Sequence, residues 1–327
     1  MVSRRTSRKA SPSPAPNPAY LWSSGGLVPW DEATVHISAI AWSTVSAVFE
    51  GIRAYWNEGE EELYIFRLQS HLDRLRDSMK LMRMSSPYSS EELSIAITEL
   101  LKTNHAREDT YIMPLAYFGG SLPGYRAAYQ QPGEILITAR PLASNMRGNR
   151  GSRGSHCCIS SWVRISDNVM PPRAKGIANY QNSRLAETEA SINGYDAGII
   201  LNTQGKVAEG SYACVFIVRD GVVITPGITS GILESITRDT VIRLFRDVLK
   251  VPVVERDVDR TEFYVAQEAF FCGTYMEIEP ILSVDRYTTG SGRPGPLTRK
   301  LRRLYQDVVR GRDKAYAQWQ APGWHRP

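Results

Sequence analysis

The sequence is short of lysine, cysteine and histidine, and each shortage excludes something. Its 327 residues hold eight lysines against 31 arginines, four cysteines and five histidines. Cys157, Cys158, Cys214 and Cys272 form no CxxC pair and are too few and oddly spaced for a disulfide framework. Reduced thiols in a cytoplasmic protein are the expected state. His36, His71, His105, His156 and His325 make no HExxH or HxxxH pair, and His156 beside two cysteines is too little to predict a metal. No segment approaches the roughly 18 consecutive apolar residues of a membrane span. There is no Walker loop and no internal repeat.

What is present is enough for two domains or one large one. The net charge of +5 is misleading, because Arg4, Arg5, Arg8 and Lys9 supply most of it and the first acid is Asp31. The body is about neutral, which argues against a nucleic-acid face. Residues 1–18, rich in Ser, Pro and Arg, read as a disordered basic tail without the apolar stretch of a secretory signal.

From Thr34 onward the pattern is ordered. Residues 47–56 and 63–67 read as strands around the acidic turn NEGEEE. Ser70 with Asp73 predicts a capped helix start, with Leu72, Leu75, Met79 and Met82 as its apolar stripe. A second helix is expected over 90–103, and strands over 110–118 and 134–140. Residues 141–154 (PLASNMRGNRGSRG) read as an interdomain loop, separating a domain at 19–140 from one at 155–327. In the second domain, strands are expected at 157–164, 198–202, 206–209, 214–218, 222–225 and 268–274, with Arg219-Asp220-Gly221 as a hairpin turn. Helices are expected at 235–249 and 296–310. Hairpins and helices without regular βαβ units predict an α+β fold.

Lysine scarcity focuses the search for chemistry. Lys175 lies in PPRAKGIANYQNS, among small residues and between a strand and a helix, where an amine can be held partly desolvated. Taken alone, a solvated loop lysine explains the same letters. Glu209, at a strand end in KVAEGSY, could pair with a cationic ring nitrogen or be an exposed turn acid. Ile236 and Thr237 open a helix whose N–H groups suit a phosphate, though capping by Ser235 also accounts for them. Thr274 and Arg74 could add a hydroxyl and a guanidinium.

Read together, FEGIRAY (49–55), HLDRLRDS (71–78), KGIANYQNSRLAETEA (175–190), AEG (208–210), LESITRD (233–239) and CGTYMEIEPILSVD (272–285) are far more specific. They resemble class IV, fold type IV pyridoxal-phosphate aminotransferases, and most of all the branched-chain amino acid enzymes, over about residues 20–310. The resemblance implies a small α/β domain beside a larger β-barrel-like domain with flanking helices, and a homodimer in which a loop near 119–128 reaches the partner's site. It implies that Lys175 carries pyridoxal 5'-phosphate, that Glu209 holds the ring nitrogen protonated and that Tyr180 bonds the ring hydroxyl. Arg74, Ile236, Thr237 and Thr274 would grip the phosphate. The implied reaction is ping-pong transfer of an amino group from a branched-chain or other apolar amino acid to a 2-oxo acid. Phe49, Gly51 and Tyr111 fall at substrate-side positions.

The sequence departs from that pattern around the substrate. Met113 stands where the branched-chain enzymes have an arginine for a distal carboxylate, and Thr44 where a tyrosine is expected. Tyr275 and Met276 replace small residues after Gly-Thr, and EGSGxN has become EGSYAC, with Tyr212 and Cys214. Arg126 could substitute as a carboxylate partner, as a loop arginine does in (R)-selective amine transaminases of this fold. An (R)-amine:pyruvate transaminase, and more distantly an aminodeoxychorismate lyase, are therefore the competing readings.

Overall fold

The computed structural model describes residues 17–119, 132–142 and 154–324. The tail to residue 16, Arg126, the loop expected to reach a partner and most of the expected interdomain loop lie outside them. The fold is two sheets with helices packed on them.

The first sheet has eight strands, in the order Gln320–Pro322, Glu62–Phe66, Ile52–Asn57, Thr110–Tyr117, Glu134–Pro141, Tyr20–Ser23 and Gly26–Pro29, with Val48–Phe49 paired to Thr110–Tyr117. Its core face packs on helices Leu68–Leu81 and Ser90–Thr103, where Leu72, Leu75, Met79, Ile97 and Leu100 meet Ile52, Ile65, Ile112 and Ile137. Thr110–Tyr117 alternates between buried and half-buried along its length. Its even residues enter this core, and Tyr111 on the other face borders a cavity.

The second sheet has nine strands, in the order Val207–Gly210, Ala197–Leu201, Ser155–Val163, Glu277–Val284, Glu268–Gly273, Cys214–Arg219, Val222–Thr225 and Val253–Glu255, with Tyr287–Thr288 on Glu277–Val284. It is covered on both faces, so its central strands are apolar without alternation. Phe216 and Phe270 join one cluster with Phe245, Leu301 and Tyr305. Val215 and Phe271, their chain neighbours, join the other with Phe263 and Ile281. The Asp220-Gly221 turn forms as expected, with φ of +49° and +75°.

Three expectations need correction. The first helix begins at Leu68 rather than Ser70, after Arg67 in a left-handed conformation (φ 51°). No capping box forms there, because the Ser70 hydroxyl accepts from the Arg67 guanidinium. A capping box forms instead at Ser89 and Glu92. The helix expected at 235–249 is α only over Ile236–Arg243 and continues as a π-helical turn over Leu244–Leu249. Finally, the chain's end does not stay with the second sheet, since Gln320–Pro322 pairs antiparallel with Tyr64–Phe66 of the first.

The helix Pro296–Val309 crosses to the first sheet at its end. Arg310 binds Asp109 through two bonds of 3.0 and 2.7 Å and the Trp56 carbonyl at 3.0 Å, with the aspartate almost fully buried. Removing one partner of a buried pair strands the other charge in low dielectric. Arg310→Met is expected to lower unfolding free energy by about 3 kcal/mol, read as an earlier urea midpoint. An unchanged midpoint would show that the pair holds nothing.

Candidate active site

The active-site cleft starts from a short stretch of backbone pairing. Phe49 N–H donates to the Lys175 carbonyl at 3.0 Å, and Ile177 N–H to the Ala47 carbonyl at 2.8 Å. Lys175 N–H in turn donates to the Ser78 hydroxyl at 3.0 Å. Residues 175–177 are thus stitched to the first sheet and its helix before the chain enters Tyr180–Ile192. This fixes the lysine's starting point at the boundary of the two sheets.

From there the Lys175 Nζ donates to the Tyr180 hydroxyl at 2.6 Å and lies 4.8 Å from the centre of the Phe49 ring. Phe49 and Tyr180 meet edge to face at 5.0 Å. The amine faces a cavity of 1270 Å³ walled by both sheets.

Across the cavity, Glu209 is buried. Its Oε1 pairs with Arg164 Nη2 at 2.9 Å and its Oε2 accepts from Leu233 N–H at 3.0 Å. Burial pushes this carboxyl up, against the pull of the Arg164 charge, the Leu233 N–H and Lys175. Arg164 is itself anchored through Nε to the Gly231 carbonyl at 3.0 Å. Both oxygens of the acid are therefore aimed by partners on its own side of the cavity.

A second acid sits behind the lysine. Glu50, fully buried, receives Arg74 through Nε and Nη2 at 2.7 and 2.8 Å and faces His71 Nδ1 at 2.7 Å. Burial pushes its carboxyl up, but the Arg74 charge and the bonds from Arg74 and His71 overcome this and bring it down to about 2. Arg74 also reaches the second sheet's side, donating through Nη1 to the Glu234 carbonyl at 2.9 Å.

The expected residues divide by position. Lys175, Tyr180, Glu209, Arg74, Thr274 and Phe49 all border the one cavity. So do Gly51, Tyr111, Tyr212, Tyr275 and Met276. Gly51 is glycine for space, since a Cβ there would lie 2.0 Å from the Tyr111 hydroxyl. Ile236 and Thr237 are buried behind Ser235, which itself borders the cavity and caps the helix by accepting from Arg238 N–H at 3.2 Å. Thr44 is not in the cavity: it is exposed and bonds back to the Ile40 carbonyl of its own helix. Met113 is half-buried on the strand Thr110–Tyr117 and does not border the cavity either.

Arg164, Glu50 and His71 escaped the sequence reading of the site. Glu50 sits inside FEGIRAY, so its motif was legible although its role was not. Arg164 meets Glu209 across 45 residues of sequence, and no local pattern signals that. Arg53 was missed too; it is buried, pairs with Glu277 at 2.9 Å and lies 3.5 Å from the Thr274 carbonyl, bracing the turn that carries Thr274 and Tyr275.

A lysine amine presented into a cleft between two such sheets, opposite a buried and doubly held acid, is the arrangement of a fold type IV transaminase. The family profile described as class IV amino-transferase matches residues 47–284. A probable branched-chain-amino-acid aminotransferase of Aquifex aeolicus is 40% identical over 93% of this chain and 96% of its own. The branched-chain-amino-acid aminotransferase of Pseudomonas aeruginosa is 38% identical over 94% and 98%. Among solved structures, the branched-chain aminotransferase of Thermobaculum terrenum in its PLP form superposes with a TM-score of 0.89 at 51% identity, covering 94% of this chain and 99% of that one. The enzyme of Thermoproteus uzoniensis with norvaline gives 0.87 at 39% identity, over 94% and 100%. The chain belongs to the class IV aminotransferases.

The Glu50 cluster sets an acid limit. Burial also pushes His71 below its ordinary value of 6.5. Both groups bind protons less readily folded than unfolded, so their stabilisation is complete above about pH 6.5 and is lost as pH falls. The steepest loss, on the order of 3 kcal/mol, is expected as pH drops from 4.5 towards 2, where Glu50 titrates. Urea midpoints across this range check it, and Glu50→Gln should flatten the lower limb. A profile unchanged by that substitution would remove Glu50 as the cause.

Proposed function

We propose that the protein is a cytoplasmic, homodimeric pyridoxal-phosphate aminotransferase that moves an amino group from a branched-chain or other apolar amino acid to a 2-oxo acid in a ping-pong cycle. The observation that carries this is the Lys175 amine, held 2.6 Å from the Tyr180 hydroxyl in the same cavity as the buried Glu209. The relatives' names support the substrate class and do not favour the amine transaminase or lyase readings. A division into units at about 19–140 and 155–327, with the C-terminal strand returned to the first, completes the proposal. Self-association is supported by Val35, Ile37, Ile40 and Val45, which are 57%, 79%, 48% and 60% exposed on one short stretch.

The donor set fits a phosphorylated pyridine. Lys175 would hold the cofactor covalently, Tyr180 would bond its ring hydroxyl and Glu209 would accept from its ring nitrogen. Arg74, with the Ile236–Thr237 helix start and Thr274, would receive the phosphate. When bound, the cofactor supplies an electron sink for the charge left on the substrate Cα. Glu209 would accept from the protonated ring nitrogen, with the Arg164 charge pulling against the burial that pushes this carboxyl up. The Lys175 amine would be the base placed to take a proton from substrate Cα and to return it. Tyr180 and Phe49 hold that amine in reach, between a hydroxyl and a ring face.

The purified protein is expected to absorb in the visible, and Lys175→Ala to abolish that band while cofactor stays bound by its phosphate. L-leucine should bleach the band of the wild type and a 2-oxo acid restore it. A protein with no band, before or after added cofactor, would end this reading. Arg164→Met should shift the ring-nitrogen resonance of 15N-labelled cofactor towards the deprotonated value, and an unmoved resonance would take Arg164 out of the mechanism.

A further inference from the structure

The helix Leu68–Leu81 carries two stripes. Leu68, Leu72, Leu75 and Met79 enter the first core. His71, Arg74 and Ser78, three and four residues apart, form a neighbouring polar stripe, and each bonds a group outside the helix. His71 meets Glu50, Arg74 meets Glu50 and the Glu234 carbonyl, and Ser78 accepts from Lys175 N–H. One helical turn, about 6 Å of rise, thus separates the residue that holds the lysine's main chain from the arginine on the cavity wall.

Glu50 closes this frame from the other side. Its main chain continues the ladder of Phe49: Phe49 N–H donates to the Lys175 carbonyl at 3.0 Å and Glu50 N–H to the Pro114 carbonyl at 2.8 Å. Its side chain leaves the ladder for Arg74, with Oε1 accepting from Nε at 2.7 Å and Oε2 from Nη2 at 2.8 Å. An ionised carboxylate only accepts, so the His71 Nδ1 that lies 2.7 Å from Oε2 carries the ring's proton. Glu50 is fully buried and does not border the cavity, whereas Arg74 does.

The form of this pairing shows what it supplies. A carboxylate that grips Nε and Nη2 together fixes the plane of the guanidinium as well as its place. The bonds to Glu50 and Glu234 engage Nε, Nη1 and Nη2 once each, which leaves a second N–H on each Nη for a ligand. A site that needed bare positive charge would be weakened by a buried acid against its arginine. Direction is what the acid adds.

We propose that Glu50 is a positioning residue for the cofactor's phosphate. It aims Arg74 into the cavity, is held in turn by His71, and ties the phosphate end of the site to the backbone ladder that fixes Lys175. This rests on the pyridoxal-phosphate reading above, in which Arg74 receives the phosphate.

The test compares two aldehydes on the full-length protein freed of cofactor: pyridoxal 5'-phosphate, and pyridoxal, which lacks the phosphate. Dissociation constants are read from the visible band, and the ratio of the pyridoxal constant to the pyridoxal-phosphate constant isolates the phosphate's share. Glu50→Gln is expected to cut that ratio about tenfold by weakening the phosphorylated aldehyde alone. Arg74→Met should cut it at least as far, and the double variant no further than Arg74→Met by itself. Glu50→Asp keeps the charge but not the reach and should cut the ratio too. It covers the case in which the glutamine variant, with Arg74 left unpaired, does not fold.

Equal weakening of both aldehydes by the Glu50 variants, the mark of a generally loosened site, would overturn the proposal. So would a tighter hold on pyridoxal phosphate in Glu50→Gln, the mark of an acid that competes for Arg74. A wild-type ratio in Glu50→Asp, or losses that multiply in the double variant, would overturn it as well. A ratio untouched by Arg74→Met would remove Arg74 from the phosphate and end this inference, while the transaminase reading would stand on the Lys175 band. No band with either aldehyde would end both.

Discussion

Everything in this site hangs on the backbone pairing between Ala47–Phe49 and Lys175–Ile177. Those few hydrogen bonds join a segment that belongs by sequence to the second half of the chain onto the edge of the first sheet. Phe49 and Lys175 become direct neighbours because their main chains are bonded, and only then do their side chains meet over the cavity. A backbone-fixed amine needs few side-chain restraints, which is why one hydroxyl and one ring face suffice to aim it. Placing the lysine on a loop would ordinarily leave it mobile. Here the Ser78 hydroxyl and the strand ladder on either side make that loop as constrained as a strand.

The electrostatics follow from the same geometry. A cleft between two sheets is half-dry, so each charge in it needs a partner or it shifts its proton affinity. The chain meets this with arginine rather than lysine. The planar guanidinium can bond an acid at one edge and a backbone carbonyl with its remaining N–H groups, as Arg74 does with Glu50 and Glu234 and Arg164 with Glu209 and Gly231. The arginine-rich, lysine-poor composition is thus not a surface trait alone. It leaves one amine in the cavity, surrounded by cations that cannot lose a proton.

The parts of this that were legible in the sequence are those written locally. Period-two strands, the Asp220-Gly221 hairpin and the order of the motifs all depend on near neighbours, and they reappear in the fold. The first helix shows the limit. Ser70 and Asp73 have capping letters, but Arg67 takes a left-handed turn and its guanidinium claims the Ser70 hydroxyl, so tertiary contacts set the start. Ser89 and Glu92, at the same spacing, form the box where nothing competes. Arg164 and the C-terminal strand were illegible for a different reason. Each finds its partner across a long loop of chain, and nothing in the residues beside them records it.

The departures from the family pattern gain meaning from where the side chains lie. Thr44 and Met113, the two lost polar anchors, do not open holes in the cavity, because neither side chain borders it in this fold. The added bulk is elsewhere, on the two turns that extend from the second sheet on the cavity that Glu209 also borders. Those turns are held in register by the strands that also place Cys214 and Cys272, so new side chains on them change what the cavity meets without moving Glu209 or Lys175. The rigid half of the site lies in paired backbone and paired charges, and the variable half lies in side chains that stand free of both.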